Sequence, residues 1–346
     1  MTDMVAPDTV PAEAGDLLRA ALRDHAGPAT PRLVVVGLSK DENPKATILV
    51  FDPGRARPRL VAKVALTAVA AVSVVAEATA LQAVGALDPA LVGGTVPRLV
   101  DVRRDRGGAV LVTEAVPGTP MSVDYHRWRG TTRPDAVRAD LAGAASWLQA
   151  LSEAVGPLPE ASSPSGWPGI AKRLRARWPS DPVARDVADA VTTTMPSLRL
   201  PADGPWSVVH GDFWAGNVLR TDGRVTGVVD WEHAVVGGDP LRDLTRFALS
   251  YVLYLDRHTR TGREVRGHPG LVAGPWGEPV RYLVAGEGWL PGLVHGVLAD
   301  HLERTGRDPD RWRDVLAVGT AEVAALSDEA TFARQHLLLA AELFRC

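Results

Sequence analysis

The chain changes its hydrophobic rhythm near residue 116. Before it, valine-rich runs at residues 32–38, 47–51, 59–65 and 110–113 read as strands, separated by Pro, Gly, Asp and Asn. Leu17, Leu18 and Leu22 share one face of a short predicted helix at residues 14–25, and an alanine- and valine-rich helix carrying Glu77 is expected over residues 68–84. After residue 116 the spacing turns helical. Val137, Leu141, Ala144, Leu148, Leu151 and Val155 form a stripe over residues 135–155, which Gly156 and Pro157 end. Further helices are predicted at residues 182–195, 291–304, 310–326 and 328–344, with Trp147 as packing and residues 257–282 as a long polar loop. This is an α+β chain: a small antiparallel sheet region at residues 1–115 and a mainly helical region at residues 116–346.

One stretch of the helical region breaks the pattern. An apolar run from Trp206 to Val209 ends at His210–Gly211–Asp212, and Asn217 follows five residues after Asp212. Short strands at residues 217–220 and 224–229 flank Thr221–Asp222–Gly223, an Asp-Gly turn of the kind a tight hairpin needs. The second strand delivers Asp230. Folding the hairpin is expected to bring Asp212, Asn217 and Asp230 to one end of it.

Composition narrows the class. The 346 residues are 46% hydrophobic and 23% charged, with a net charge of −3, as in a soluble globular protein without the footprint of a nucleic-acid binder. Its single cysteine, Cys346, allows neither an internal disulfide nor a cysteine metal cluster. The acidic start lacks the basic and apolar regions of a signal peptide, and the apolar run at residues 64–76 is too short to span a bilayer. A cytoplasmic protein with no nucleic-acid or membrane partner is expected. Lysine is scarce, occurring only at Lys40, Lys45, Lys63 and Lys172, so a lysine on a predicted strand stands out.

Two carboxylates and an amide at this spacing suit phosphoryl transfer, which needs positioning and charge neutralisation more than covalent help. One carboxylate orients the attacking hydroxyl and takes its proton. An amide oxygen and a second carboxylate suit magnesium, which favours hard oxygen donors. His-Gly-Asp-x-x-x-x-Asn followed by Asp230–Trp231–Glu232 resembles the aminoglycoside phosphotransferase and choline kinase family, relatives of the protein kinases. Gly238–Asp239–Pro240–Leu241–Arg242–Asp243–Leu244 resembles a further segment of that family.

The resemblance implies a two-lobed, protein-kinase-like fold and a small-molecule kinase. It implies Asp212 as the catalytic base, Asn217 and Asp230 as ligands of Mg2+, and ATP or GTP as the donor. Lys63 on the third strand and Glu77 on the next helix match the kinase pair that grips the nucleotide phosphates. The polar segment at residues 39–46, beginning at Ser39, takes the place of the phosphate-covering loop without its glycine pattern. Glu114 and Val116 fall where the lobe-connecting hinge would bind the base through its backbone. Asp239 is expected to cap a helix that has Pro240 in its first position. Asp243 has two readings, a brace for the catalytic loop or a first-turn acid.

Two other classes stay open on residues alone: a nucleotide-binding pseudokinase without catalysis, and a metal-dependent hydrolase built on His210, Asp212, Asp230 and His233. All four kinase residues are present, against the first. The histidines lack the spacing that sets two imidazoles on one helix face, against the second. For the acceptor, Arg257, Arg260, Arg263, Arg266 and Arg281, with the Tyr125–His126–Arg127–Trp128–Arg129 segment, point to a neutral or anionic hydroxylated molecule. A sugar, a nucleoside or an antibiotic, handled in resistance or natural-product metabolism, fits that description.

Overall fold

The computed structural model describes residues 12–25, 30–38, 44–105, 107–127, 130–161 and 167–345. The chain divides into two compact units: residues 1–117 with 227–233, and residues 118–226 with 234–346.

The first unit is built on a five-stranded antiparallel sheet. Along the chain come α1 (Ala12–His25), β1 (Arg32–Leu38), β2 (Lys45–Phe51), β3 (Leu60–Ala65), α2 (Ala68–Leu87), a short turn α3 (Leu91–Gly94), β4 (Leu99–Asp105) and β5 (Gly108–Glu114). The spatial order is β1-β2-β3-β5-β4. Strand alternation sorts the side chains. Ile48, Val50, Leu60, Ala62, Val64, Val110 and Val112 form one buried cluster with Ala14, Ala21 and Leu22 of α1. Lys63, lying between Ala62 and Val64, turns the other way, towards α2. The sequence pattern misses β4, because its run Leu-Val-Asp-Val-Arg-Arg-Asp is mostly partly exposed and polar.

Helix α2 runs to Leu87, past the expected end at residue 84, and Thr67 caps it through the N–H of Ala70. By length and composition it is apolar enough to cross a membrane, with mean hydropathy 1.6. Here it packs as a core helix, burying Ala70, Val74, Ala78, Leu81 and Val84 together with Glu77.

The second unit is mainly helical. It runs through β6 (Thr119–Pro120), α4 (Met121–Tyr125), α5 (Pro134–Val155), α6 (Ile170–Arg177), α7 (Pro182–Leu198), β7 (Ser207–Val209) and β8 (Val218–Thr221). Then come β9 (Arg224–Val228), β10 (Val235–Gly238), α8 (Leu241–Leu253), α9 (Glu278–Ala285), α10 (Trp289–Arg304), α11 (Trp312–Leu326) and α12 (Ala330–Leu343). β7 pairs antiparallel with β10, and β6, β8 and β9 form a small sheet in that order. The predicted stripe of α5 is buried at every position named, and Trp147 stacks on Phe213 at 5.4 Å. Asp222 and Gly223 both adopt positive φ, 50° and 78°, as a tight hairpin turn requires. Arg220 of β8 ties the hairpin down through ion pairs to Asp140 of α5 and Asp124 of α4.

Several boundaries differ from the expected ones. The long loop ends at Gly277, and α9 begins within it because Val280, Tyr282 and Leu283 supply a buried face that its polar flanks conceal. Helix α8 starts at Leu241 rather than Pro240. Asp239 still accepts the N–H of Leu241 at 3.0 Å, but its other partner is Arg307. Helix α7 continues to Leu198 through Pro196, and α6 is too short to carry a readable period.

Helix α11 is the centre of this unit, buried at every position from Val315 to Ala325. Its small residues let α8 approach closely. A Cβ on Gly319 would lie 2.4 Å from Thr245 Cγ2 and 3.1 Å from Leu249 Cδ1. Thr245 is fully buried and β-branched, so it has little room to turn away. Gly319→Val is expected to lower unfolding free energy by about 2 kcal/mol through overpacking, against a helix-propensity gain of a few tenths. Urea denaturation checks this, and a variant as stable as the parent would show that the helices have space to part.

Candidate active site

In the first unit Lys63 is the hub of an ion-pair group. Its Nζ donates to both carboxylate oxygens of Glu77, at 2.6 Å each, and also to Asp230 Oδ1. Burial works against the charge on Lys63, but the carboxylates of Glu77 and Asp230 outweigh it and raise its pKa. Burial likewise pushes the Glu77 carboxyl up, while Lys63 opposes that shift. Glu77 also accepts the backbone N–H of Trp231 at 3.4 Å. Asp230 follows β9 with a φ of +69°, a left-handed conformation that sets its carboxylate beside Lys63. Lys45 of β2 pairs with Glu232, two residues after Asp230.

The hinge residues lie at the end of β5. The N–H of Glu114 donates to Arg98 O and that of Ala115 to Arg59 O, each at 2.9 Å. The Glu114 side chain is exposed and only loosely paired with Arg98, at 3.6 Å. Among the described residues no hydrogen bond engages the N–H of half-buried Val116. Ser39 lies outside the described residues.

In the second unit the loop after β7 carries Asp212 and Asn217. Asp212 Oδ1 accepts from Arg246 of α8 at 2.9 Å. Asn217 Nδ2 donates to the Asp212 carbonyl at 2.9 Å and to its Oδ2 at 3.1 Å. Gly211 takes a φ of +84°, which a side chain would resist, and the N–H of Asp212 turns back to His210 Nδ1 at 3.3 Å. Asp243 decides between its two readings: its carboxylate accepts the N–H of His210 at 2.6 Å and of Gly211 at 2.9 Å. It is the loop's brace. Burial pushes the Asp243 carboxyl up to about 7, although both backbone donors and Arg242 favour its charged form. Behind the loop, Phe213 packs between Trp147 and Phe247.

Sequence reasoning missed Arg246. Its partner Asp212 lies 34 positions earlier in the chain, so nothing in its local spacing marks it. Sequence reasoning also missed the buried pairs Arg242–Glu322 and Arg307–Asp239, which fix both ends of the segment leading into α8.

Two cavities flank this loop. One, of about 240 Å³, opens on Asp212 and Arg246 among residues of α8, α9, α11 and α12. The other, of about 540 Å³, is lined by Trp214, Tyr254, Tyr125, His126 and Arg257. The arginine-rich loop mostly turns away from them. Arg257 lines the second, but Arg260, Arg263 and Arg266 are exposed and line neither, and Arg281 pairs with Glu342 at 2.7 Å. Trp128 and Arg129 lie outside the described residues. His233 is exposed beside Glu232 at 3.6 Å, and His210 is buried. Among the described residues no three His, Cys, Asp or Glu side chains gather to hold a metal.

Residues 38–272 match the model of the Phosphotransferase enzyme family. A search of curated proteins finds no match. Among solved structures, a thermostable mutant of aminoglycoside phosphotransferase APH(4)-Ia aligns with 94% of this chain and 98% of its own, at 17% identity and TM-score 0.56. Aminoglycoside phosphotransferase APH(3'')-Id from Streptomyces rimosus aligns over 89% and 97%, at 20% identity and TM-score 0.50. The streptomycin-ATP-APH(2")-IIa ternary complex aligns over 99% of both chains, at 14% identity and TM-score 0.50. At such identities the likeness is one of fold, while the family match covers most of the chain. The chain therefore belongs to the Phosphotransferase enzyme family, as a small-molecule kinase with the protein-kinase-like fold of the aminoglycoside phosphotransferases.

Proposed function

We propose that this protein is a cytoplasmic, Mg2+-dependent enzyme that moves the γ-phosphate of ATP or GTP to a hydroxyl of a neutral or anionic small molecule. The observation that carries this is the setting of Asp212. A carboxylate on a braced loop, held by Asn217 and Arg246 at the mouth of a cavity, suits a base that must orient a hydroxyl and receive its proton. Among the structural neighbours, APH(4)-Ia has been solved in a complex with hygromycin B and APH(2")-IIa in one with streptomycin, both polycations. Here the acceptor is proposed instead among uncharged or acidic sugars, nucleosides or antibiotics.

Lys63 would grip the α- and β-phosphates, since an ammonium has three donors and Glu77 fixes where they point. The carbonyl of Glu114 and the N–H of Val116 would meet the base. Asn217 and Asp230 fit magnesium chemically. The Asn217 amide nitrogen is turned to Asp212, which leaves its oxygen as the donor, and Asp230 offers a carboxylate oxygen, the hard donor that magnesium favours. Held there, magnesium would supply positive charge that neutralises the phosphates.

Asp212→Asn is expected to reduce turnover by roughly 10²–10⁴-fold while calorimetry shows nucleotide affinity nearly unchanged. Turnover within a few fold of the parent would remove Asp212 from the role of base.

Lys63 and Glu77 are expected to act as a unit. In a double-mutant cycle, Lys63→Ala with Glu77→Ala should lose about as much activity as either change alone. Fully additive losses would mean that the two side chains position phosphates independently.

Asp230→Ala should abolish activity and weaken Mg-ATP more than ATP alone, because the metal loses its carboxylate. Titration of both forms by calorimetry reads the difference. Equal affinities in parent and variant would place the metal elsewhere.

A further inference from the structure

The cavity beside Asp212 has an unusual lining for a site that must recognise a hydroxylated substrate. Leu249, Leu253, Val280, Val323, Phe332 and Leu339 make its wall. Its charged groups are Asp212 and Arg246, 2.9 Å apart, which compensate each other. Two of its hydroxyls are committed to helix backbone, Thr320 donating to Leu316 O at 2.8 Å and Ser250 to Phe247 O at 3.0 Å, and the remaining polar groups of the lining, the Tyr254 phenol and the Trp214 indole, are uncharged. His336 Nδ1 meets Phe332 O at 2.8 Å, and burial holds the imidazole down at about 4, so it is neutral at neutral pH.

Such a wall discriminates by charge. An ammonium entering it would shed water and find no carboxylate beyond the one already bound to Arg246. A carboxylate could reach the Nε of Arg246, which is buried without a partner among the described residues, but only beside the negative charge of Asp212. An alcohol on an apolar skeleton sheds little, because its hydroxyl meets Asp212 and its body meets hydrocarbon.

We propose that the acceptor is an uncharged alcohol with a compact apolar body, seated in the cavity between α8, α9, α11 and α12 with its hydroxyl on Asp212. This rests on the reading of Asp212 as the base. Val323 and Phe332 are then specificity-determining residues, Val323 buried in the wall and Phe332 half-buried at its α12 side. The neighbouring cavity shares Trp214, Ser250 and Tyr254, so a larger acceptor can continue along that aromatic wall.

The test uses the full chain with Mg-AMP-PNP present, titrated by calorimetry with menthol and borneol, then with the diamine 2-deoxystreptamine and the anion gluconate. A parallel assay follows label transfer from radiolabelled ATP and GTP to each. The two uncharged alcohols should bind and accept phosphate in preference to the charged probes. Val323→Trp, which fills the cavity, should weaken their binding by at least about tenfold and leave Mg-ATP affinity unchanged. Phe332→Glu, at a half-exposed position that tolerates charge, should weaken the alcohols and strengthen 2-deoxystreptamine. Preference of the parent for either charged probe, or alcohol binding unmoved by both substitutions, overturns the proposal. Label transfer to a charged probe alone would keep the phosphotransfer reading and sink this one. Cavity-dependent alcohol binding with no transfer to any probe would do the reverse.

Discussion

The second unit hangs on one buried carboxylate. Asp243 sits in the first turn of α8 and accepts two backbone N–H groups from residues more than 30 positions earlier, at His210 and Gly211. Those groups belong to a tight turn whose glycine has left-handed φ, so no regular ladder satisfies them. Leaving two buried donors unpaired would cost roughly 1–3 kcal/mol each. The bond therefore fixes the loop that carries Asp212 to the helix that carries Arg246. Everything that steadies α8 steadies the site: the close approach at Gly319, the Arg242–Glu322 pair and the Arg307–Asp239 pair.

The first unit uses the opposite device. Its ion-pair group is joined by charge rather than by backbone donors, with Lys63 shared between Glu77 and Asp230. Removing one partner of such a buried pair generally costs about 3–5 kcal/mol because the survivor is left desolvated. That makes Glu77 more than a phosphate accessory. It is the condition for keeping an ammonium inside an apolar sheet, on the strand face opposite Ala62 and Val64. The same helix, long and apolar enough to cross a membrane, is therefore tied to the sheet by its one acidic residue.

What the sequence made legible follows from where the signal is local. The helix stripe at Val137 to Val155, the Asp222–Gly223 turn and the strand carrying Lys63 each express themselves within a few residues, and the structure has them. Asp212 and Asn217 could be picked out by spacing, and they do touch. The failures lie where one residue's meaning depends on a distant partner. Arg246 reads as an ordinary helix arginine until Asp212 is set beside it. Asp243 could be a cap or a brace until His210 supplies the donors. The arginines at 260, 263 and 266 look like a binding surface by composition, yet they are exposed and line neither cavity. Charge in a sequence carries no direction; burial gives it one.

Charge compensation is the common thread of both units. Each carboxylate assigned to the chemistry is already held by a cation of its own unit, Asp212 by Arg246 and Asp230 by Lys63. A site arranged in this way does not have to create its electrostatics when a ligand arrives. It exchanges partners instead. On the proposed reading, Lys63 would hold phosphate oxygens and Asp230 would hold a magnesium ion, so both partners of this ion pair would find new ones. At Asp212 the guanidinium of Arg246 holds the carboxylate in the same way, oriented among apolar side chains. Preorganisation of this kind costs stability in the resting protein, since it desolvates charges before they are used. The braces on α8 and the Glu77 pairing offset that cost.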